Sequence, residues 1–143
     1  MNPASPDLVQ ELDRAAAKLR AAETQLQRAI FGQNAVIRQC LAAILSGGHV
    51  LLIAMPGVAK TKLVLALSQV LGLNTKRIQC TPDLMPADIL GTEVLEEADY
   101  GKRQFRFIQG PVFCQLLMAD EINRASPRTQ SALLQAMQEH QVA

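Results

Sequence analysis

Apolar residues recur at alternating steps of four and three through Leu8, Leu12, Ala15, Leu19, Ala22, Leu26 and Ile30. That spacing puts one stripe on a helix whose other faces carry Glu, Asp, Arg, Lys and Gln. Ser5 as N-cap, Pro6 at the first helical position and Asp7 in the first turn are its start signals. Such a stripe suits a short coiled coil or, better, a helix laid on the domain or on a neighbouring subunit. The segment Ile30-Phe31-Gly32-Gln33 ends it, and a second amphipathic helix spans Asn34 to Ser46, with Ile37, Cys40, Leu41, Ile44 and Leu45 on one face. Gly47-Gly48 closes that helix, and the apolar run through Val50, Leu51, Leu52 and Ile53 predicts a buried strand. Pro56-Gly57 breaks the run, Lys60-Thr61 opens a helix, and Leu63 to Leu71 is almost wholly apolar, so that helix reads as buried rather than surface-lying, with Gly72 stopping it. Further on, Lys76–Cys80 is a weaker strand and Met85–Asp88 starts a short helix that stops at Gly91. Residues 93–95 and 103–108 then flank the turn Asp99-Tyr100-Gly101-Lys102. Phe105 and Phe107 share one face of the second arm and Gln104, Arg106 and Ile108 the other, which is a hairpin pattern. An apolar run from Val112 to Ala119 predicts another strand, and Ser126-Pro127 starts a last helix with Leu133, Leu134 and Met137.

A strand, a Pro-Gly turn and Lys60-Thr61 opening a helix make a cradle for phosphate. The first-turn amides have no acceptor within the helix, the helix dipole favours an anion there, and Lys60 adds a full charge. Pro56, Gly57, Val58, Ala59, Lys60, Thr61 and Lys62 are therefore candidate nucleotide-binding residues, Thr61 offering its hydroxyl to Mg2+. The match to G-x-x-x-x-G-K-[ST] is imperfect, because Ala54 and Ala59 stand where its two glycines belong. Alanine tolerates positive φ poorly, which leaves Gly57 as the one loop residue free to take it.

The strand through Ala119 runs into Asp120-Glu121. Two carboxylates at the end of a buried strand are costly without a cation or hydrogen bonds to offset them. Asp120 is the candidate metal ligand and Glu121 the candidate catalytic carboxylate that polarises a water, the Walker B arrangement. Either could instead cap the next helix. Arg124 is open between a surface salt bridge and a charge presented to a neighbouring subunit's nucleotide.

These stretches, together with Thr81-Pro82-Asp83-Leu84-Met85-Pro86-Ala87-Asp88-Ile89-Leu90-Gly91-Thr92-Glu93-Val94 and Gly110-Pro111-Val112-Phe113, resemble the MoxR family of AAA+ ATPases across about residues 28 to 143. The last stretch, from Gly110-Pro111-Val112-Phe113 through Ala119-Asp120-Glu121-Ile122-Asn123-Arg124-Ala125-Ser126-Pro127, is specific enough to name that family by itself. Ala59 is usual there, whereas Ala54 and Ile53 depart from the family's Gly and acidic residue, which bears on tightness of phosphate binding. The resemblance implies an α/β P-loop NTPase with a three-layer parallel-sheet core, N-terminal helices and an inserted hairpin. It divides the chain into an N-terminal helix, 1–30, and a partial ATPase core, 31–143, with Walker A at 54–61, the hairpin at about 93–108 and Walker B at 116–121. It places Ile30, Phe31 and Gly32 on the adenine ring, and Lys60, a catalytic residue beside Glu121, between the β- and γ-phosphates. A hairpin projecting toward a central pore to touch a client is also implied, against a plain edge hairpin. The family core has strands in the order 5-1-4-3-2 and then a helical lid, so a chain supplying the first three reads as truncated, without the polar sensor, arginine finger and lid.

Composition narrows this further. The 143 residues are 49% apolar with a net charge of +1, so no basic field implies nucleic acid, and no stretch has the length of a membrane span. Cys40, Cys80 and Cys114 lack metal spacing and read as reduced core residues; with no signal-peptide pattern the expected place is cytoplasmic. The expected function is Mg-dependent ATP hydrolysis driving chaperone-like remodelling or maturation of another protein, in a homo-oligomeric ring taken as a hexamer. The alternative is a non-catalytic nucleotide-binding or interaction module whose hydrolysis is lost through truncation.

Overall fold

The computed structural model describes residues 6–55, 57, 59–98 and 102–139, so Ser5, Pro56, Val58 and the expected turn at 99–101 lie outside the described residues. The chain divides into two compact units, Met1–Gly72 and Leu73–Ala143.

Three helices build the first unit: α1 (Pro6–Ala29), α2 (Asn34–Leu45) and α3 (Lys60–Leu71). Asp7 in the first turn and Arg28 in the last complement the dipole of α1. Leu26 and Ile30 meet Ile37, Cys40 and Leu41 of α2 and Leu63, Ala66 and Leu67 of α3 in one buried cluster. Glu23 of α1 accepts a hydrogen bond from Arg38 of α2 at the rim of that cluster. The helix read as residues 1–30 thus packs into this unit through its C-terminal third alone, and Leu8, Leu12 and Leu19 stay exposed. Leu45 and Leu65 are likewise exposed, so α2 and α3 each bury one stripe and α3 is not enclosed all round.

The strand expected through residues 50–53 does not form. Leu51 and Ile53 are 73% and 88% exposed, and only Leu52 packs on the core. Strand identity is conferred by ladder partners, and none of the described residues offers its backbone to this run.

The second unit contains β1 (Thr75–Gln79), α4 (Pro86–Leu90), β2 (Gly91–Ala98), β3 (Lys102–Gln109), β4 (Leu116–Asp120), a 3-10 turn (Ile122–Arg124) and α5 (Pro127–Glu139). β1 and β4 pair in parallel, Thr75 opposite Leu116 and Gln79 opposite Asp120, and β2 and β3 pair antiparallel as the expected hairpin. The architecture is α/β with a parallel strand pair. β4 is shorter than the apolar run suggested. The amide of Val112 donates to Ile89 O and that of Phe113 to Gly110 O, which commits residues 111–115 to a turn. Ile78, Cys80, Ile89, Ala125 and Leu133 form the second core. Thr129, fully buried on α5, donates its hydroxyl to Leu84 O at 2.6 Å and so ties that helix to the loop before α4.

Candidate functional site

The candidate residues fall into two groups, one in each unit. In the first unit the backbone turns through Gly57 at φ 86° and Ala59 at φ 58°, ψ 26° before α3 begins. Gly57 is therefore not alone in positive φ: Ala59 takes the left-handed region too, where a β-carbon costs roughly 1–2 kcal/mol. The first helical hydrogen bond runs from Leu63 N to Ala59 O at 2.9 Å, and Ala59 has no side chain with which to cap. The amides of Lys60, Thr61 and Lys62 consequently lie ahead of that bond with no acceptor inside the helix. Lys60 and Thr61 are half-buried and Lys62 is exposed. Lys60 Nζ lies 3.3 Å from Ala54 O, so the side chain bends back over the loop that precedes its helix.

The three residues assigned to the adenine ring differ in character. Ile30 is buried in the first core, Phe31 is 97% exposed, and Gly32 turns at φ 76° with open space around it.

In the second unit β4 ends on Asp120, and Cys80 N donates to Asp120 O at 2.9 Å, extending the ladder by one bond beyond β1. Glu121 then takes φ 54°, ψ 44°, which throws its side chain off the strand direction. Each carboxylate holds an arginine. Arg77 Nη2 donates to Asp120 Oδ2 at 2.7 Å, and Arg124 Nη1 donates to Glu121 Oε2 at 2.8 Å. Arg124 therefore pairs with Glu121 within the chain. Burial, and then the negative charge of Asp120, push the Cys80 thiol above its ordinary pKa.

Arg77 is absent from the residues expected at the site. Alternation along β1 would have put Arg77 and Gln79 on one face, but only the register with β4 brings that face to Asp120.

The donor chemistry suits Mg2+. Thr61 offers a hydroxyl and Asp120 a carboxylate, both hard oxygen ligands, and among the described residues no three His, Cys, Asp or Glu side chains gather into a cage of their own. Mg2+ takes hard oxygen donors of this kind, usually one or two from the protein with phosphate and water completing its shell.

A family model described as "ATPase family associated with various cellular activities (AAA)" matches residues 49–143. The chaperone MoxR1 of Mycobacterium tuberculosis is 46% identical over 125 residues, covering 87% of this chain and 32% of that protein. An uncharacterized protein of Bacillus subtilis, YeaC, is 44% identical over 87% of this chain and 38% of its own length. Protein MoxR of Paracoccus denitrificans is 35% identical over 89% of this chain and 38% of its own length. A crystal structure of a Cytophaga hutchinsonii protein provisionally titled an ATPase superposes with a TM-score of 0.74 at 38% identity, covering 93% of this chain and 42% of that one. The chain thus spans about a third of the length of these curated relatives.

Proposed function

This chain belongs to the MoxR family of AAA+ ATPases, and on that premise we propose that it binds Mg-ATP and hydrolyses it to remodel or mature another protein. Lys60 and the first-turn amides of α3 receive the β- and γ-phosphates, with Gly57 and Ala59 shaping the loop and Ile30, Phe31 and Gly32 beside the adenine. Thr61 and Asp120 are the oxygen ligands for Mg2+, which when bound neutralises phosphate charge. Glu121 orients and polarises the attacking water. Subunits assemble into a cytoplasmic homo-oligomeric ring, a hexamer, and an N-terminal segment, 1–30, precedes an ATPase core that starts at 31.

One observation carries this reading. Among the described residues, two that are not glycine have positive φ, Ala59 and Glu121. They are the residue that aims the first-turn amides of α3 and the residue assigned to water activation. Such conformations persist where the surroundings over-determine them, and they gather at functional sites.

Phosphate release by the full chain, compared with Glu121→Gln, tests hydrolysis. The substitution is expected to lower the rate at least about a hundredfold, the lower end of the range for losing a positioned acid–base group, while Mg-ATP still raises the melting temperature. Lys60→Ala is expected to abolish that thermal stabilisation. Equal background release by both proteins would reduce the activity to binding alone, and no stabilisation of the wild type would remove binding as well.

A further inference from the structure

We propose that Arg77 is a positioning residue for the acidic end of β4, acting as the resident counter-cation of Asp120 against which Mg2+ has to bind. The proposal rests on the Mg-nucleotide reading above. In the parallel ladder Gln79 stands opposite Asp120 and Arg77 opposite Met118, so Arg77 lies two residues back on the face that Asp120 shares. From there its guanidinium reaches Asp120 Oδ2 at 2.7 Å, with Gln79 Oε1 at 3.4 Å from the same nitrogen. Among the described residues the carboxylate receives no second side-chain hydrogen bond. Oδ1 is left over, and Oδ2 is already spoken for.

The two partners are unequally exposed. The Asp120 side chain is 19% exposed and that of Arg77 51%. A carboxylate withdrawn from water needs a cation or donors, and Arg77 supplies both while no metal is present. The arginine itself loses little hydration and can swing back to solvent. It neutralises the ligand that Mg2+ needs, and a dication arriving at the same carboxylate meets a positive charge a few ångströms away. Glu121 has Arg124 for its own partner, so Asp120 is the acidic residue of the pair that Arg77 holds. The pair therefore sets the Mg2+ concentration at which the site loads, keeping Asp120 compensated when nucleotide leaves.

The test is a Mg2+ titration of thermal stability in the full chain with saturating ADP, which avoids turnover. Wild type, Arg77→Gln, Arg77→Met and Arg77→Lys are compared, and ADP binding in EDTA serves as the reference. Removing the charge with Gln or Met is expected to lower the Mg2+ midpoint about 1.5- to 5-fold, the scale of a partly exposed charge pair. Arg77→Lys, which keeps the charge, is expected to stay near the wild-type midpoint, and ADP affinity in EDTA is expected to be the same in all four. An unchanged or higher midpoint in the neutral variants, with wild type responding normally, overturns the proposal and leaves the nucleotide site standing. Loss of folding in both neutral variants while Arg77→Lys folds also overturns it, since the pair would then serve stability alone. Absence of any Mg-ADP stabilisation in wild type overturns both.

Discussion

Ala59 holds a left-handed conformation at the mouth of α3 that its own methyl group opposes. Replacing it by glycine removes a penalty of roughly 1–2 kcal/mol and adds about 0.5–1 kcal/mol of backbone entropy lost on folding. Ala59→Gly is therefore expected to stabilise the chain by about 0.5–1 kcal/mol, read as a higher urea midpoint at unchanged slope. A lower midpoint would mean that the alanine is held by packing rather than strained. Glu121 sits in the same region of backbone space, but a glycine there would also delete the carboxylate, so strain and chemistry cannot be separated at that position. Its sequence neighbour Asp120 is ordinary in backbone and unusual in company, and its arginine comes from a strand that precedes it by some forty residues of chain.

At the scale of elements, α1 shows that a periodic stripe and a buried stripe are different things. Leu12 and Leu26 belong to the same stripe, yet Leu12 is 61% exposed and Leu26 fully buried. Leu26→Ala is expected to cost about 2–5 kcal/mol through lost transfer energy and a residual cavity. Leu12→Ala is expected to stay within about 0.5 kcal/mol, as surface changes do. Denaturant unfolding of the two variants side by side checks the contrast, and comparable losses would show that the first half of α1 is covered in solution. The hairpin was legible because it is local: alternation in β3 and a Gly-containing link suffice. Its anchoring was not. A β-carbon on Gly91 would fall 2.2 Å from Ile108 O and 2.7 Å from Gly110 N, so the base of the hairpin closes around that residue at a φ of 108°.

Across the whole chain, each unit has its own core and each core contains one buried thiol, Cys40 in the first and Cys80 in the second, while Cys114 is half-buried. Alkylation under native conditions is expected to reach Cys114 first, and Cys40 and Cys80 only as their own units open. Peptide-resolved labelling along a urea series checks this, and equal rates at all three thiols would show that neither core is closed. Burial raises the pKa of Cys40, and burial with the charge of Asp120 raises that of Cys80. The folded state thus holds these protons more tightly than the unfolded chain does. This contribution is fully present below the ordinary thiol value of 9.0 and is lost as pH rises through the raised ones, so stability is expected to fall on the alkaline side. Melting temperatures from pH 8 to 10, compared with a Cys40→Ala, Cys80→Ala chain, measure it; parallel curves would assign the alkaline loss to other groups.

Sequence alone determined what short-range chemistry specifies. The helices, the hairpin, the turn into Lys60-Thr61 and the strand ending at Asp120-Glu121 are each written in periodicity, β-propensity and turn residues within a few positions, and the family is written in the motifs themselves. Tertiary structure decided what needs a partner distant in sequence. It left residues 50–53 out of any ladder, because β-propensity cannot supply the neighbouring backbone that makes a strand. It covered only the C-terminal third of the α1 stripe, and it set the β1–β4 register. Parallel pairing joins segments whose order along the chain says nothing of their offset, and that offset alone brings Arg77 to Asp120.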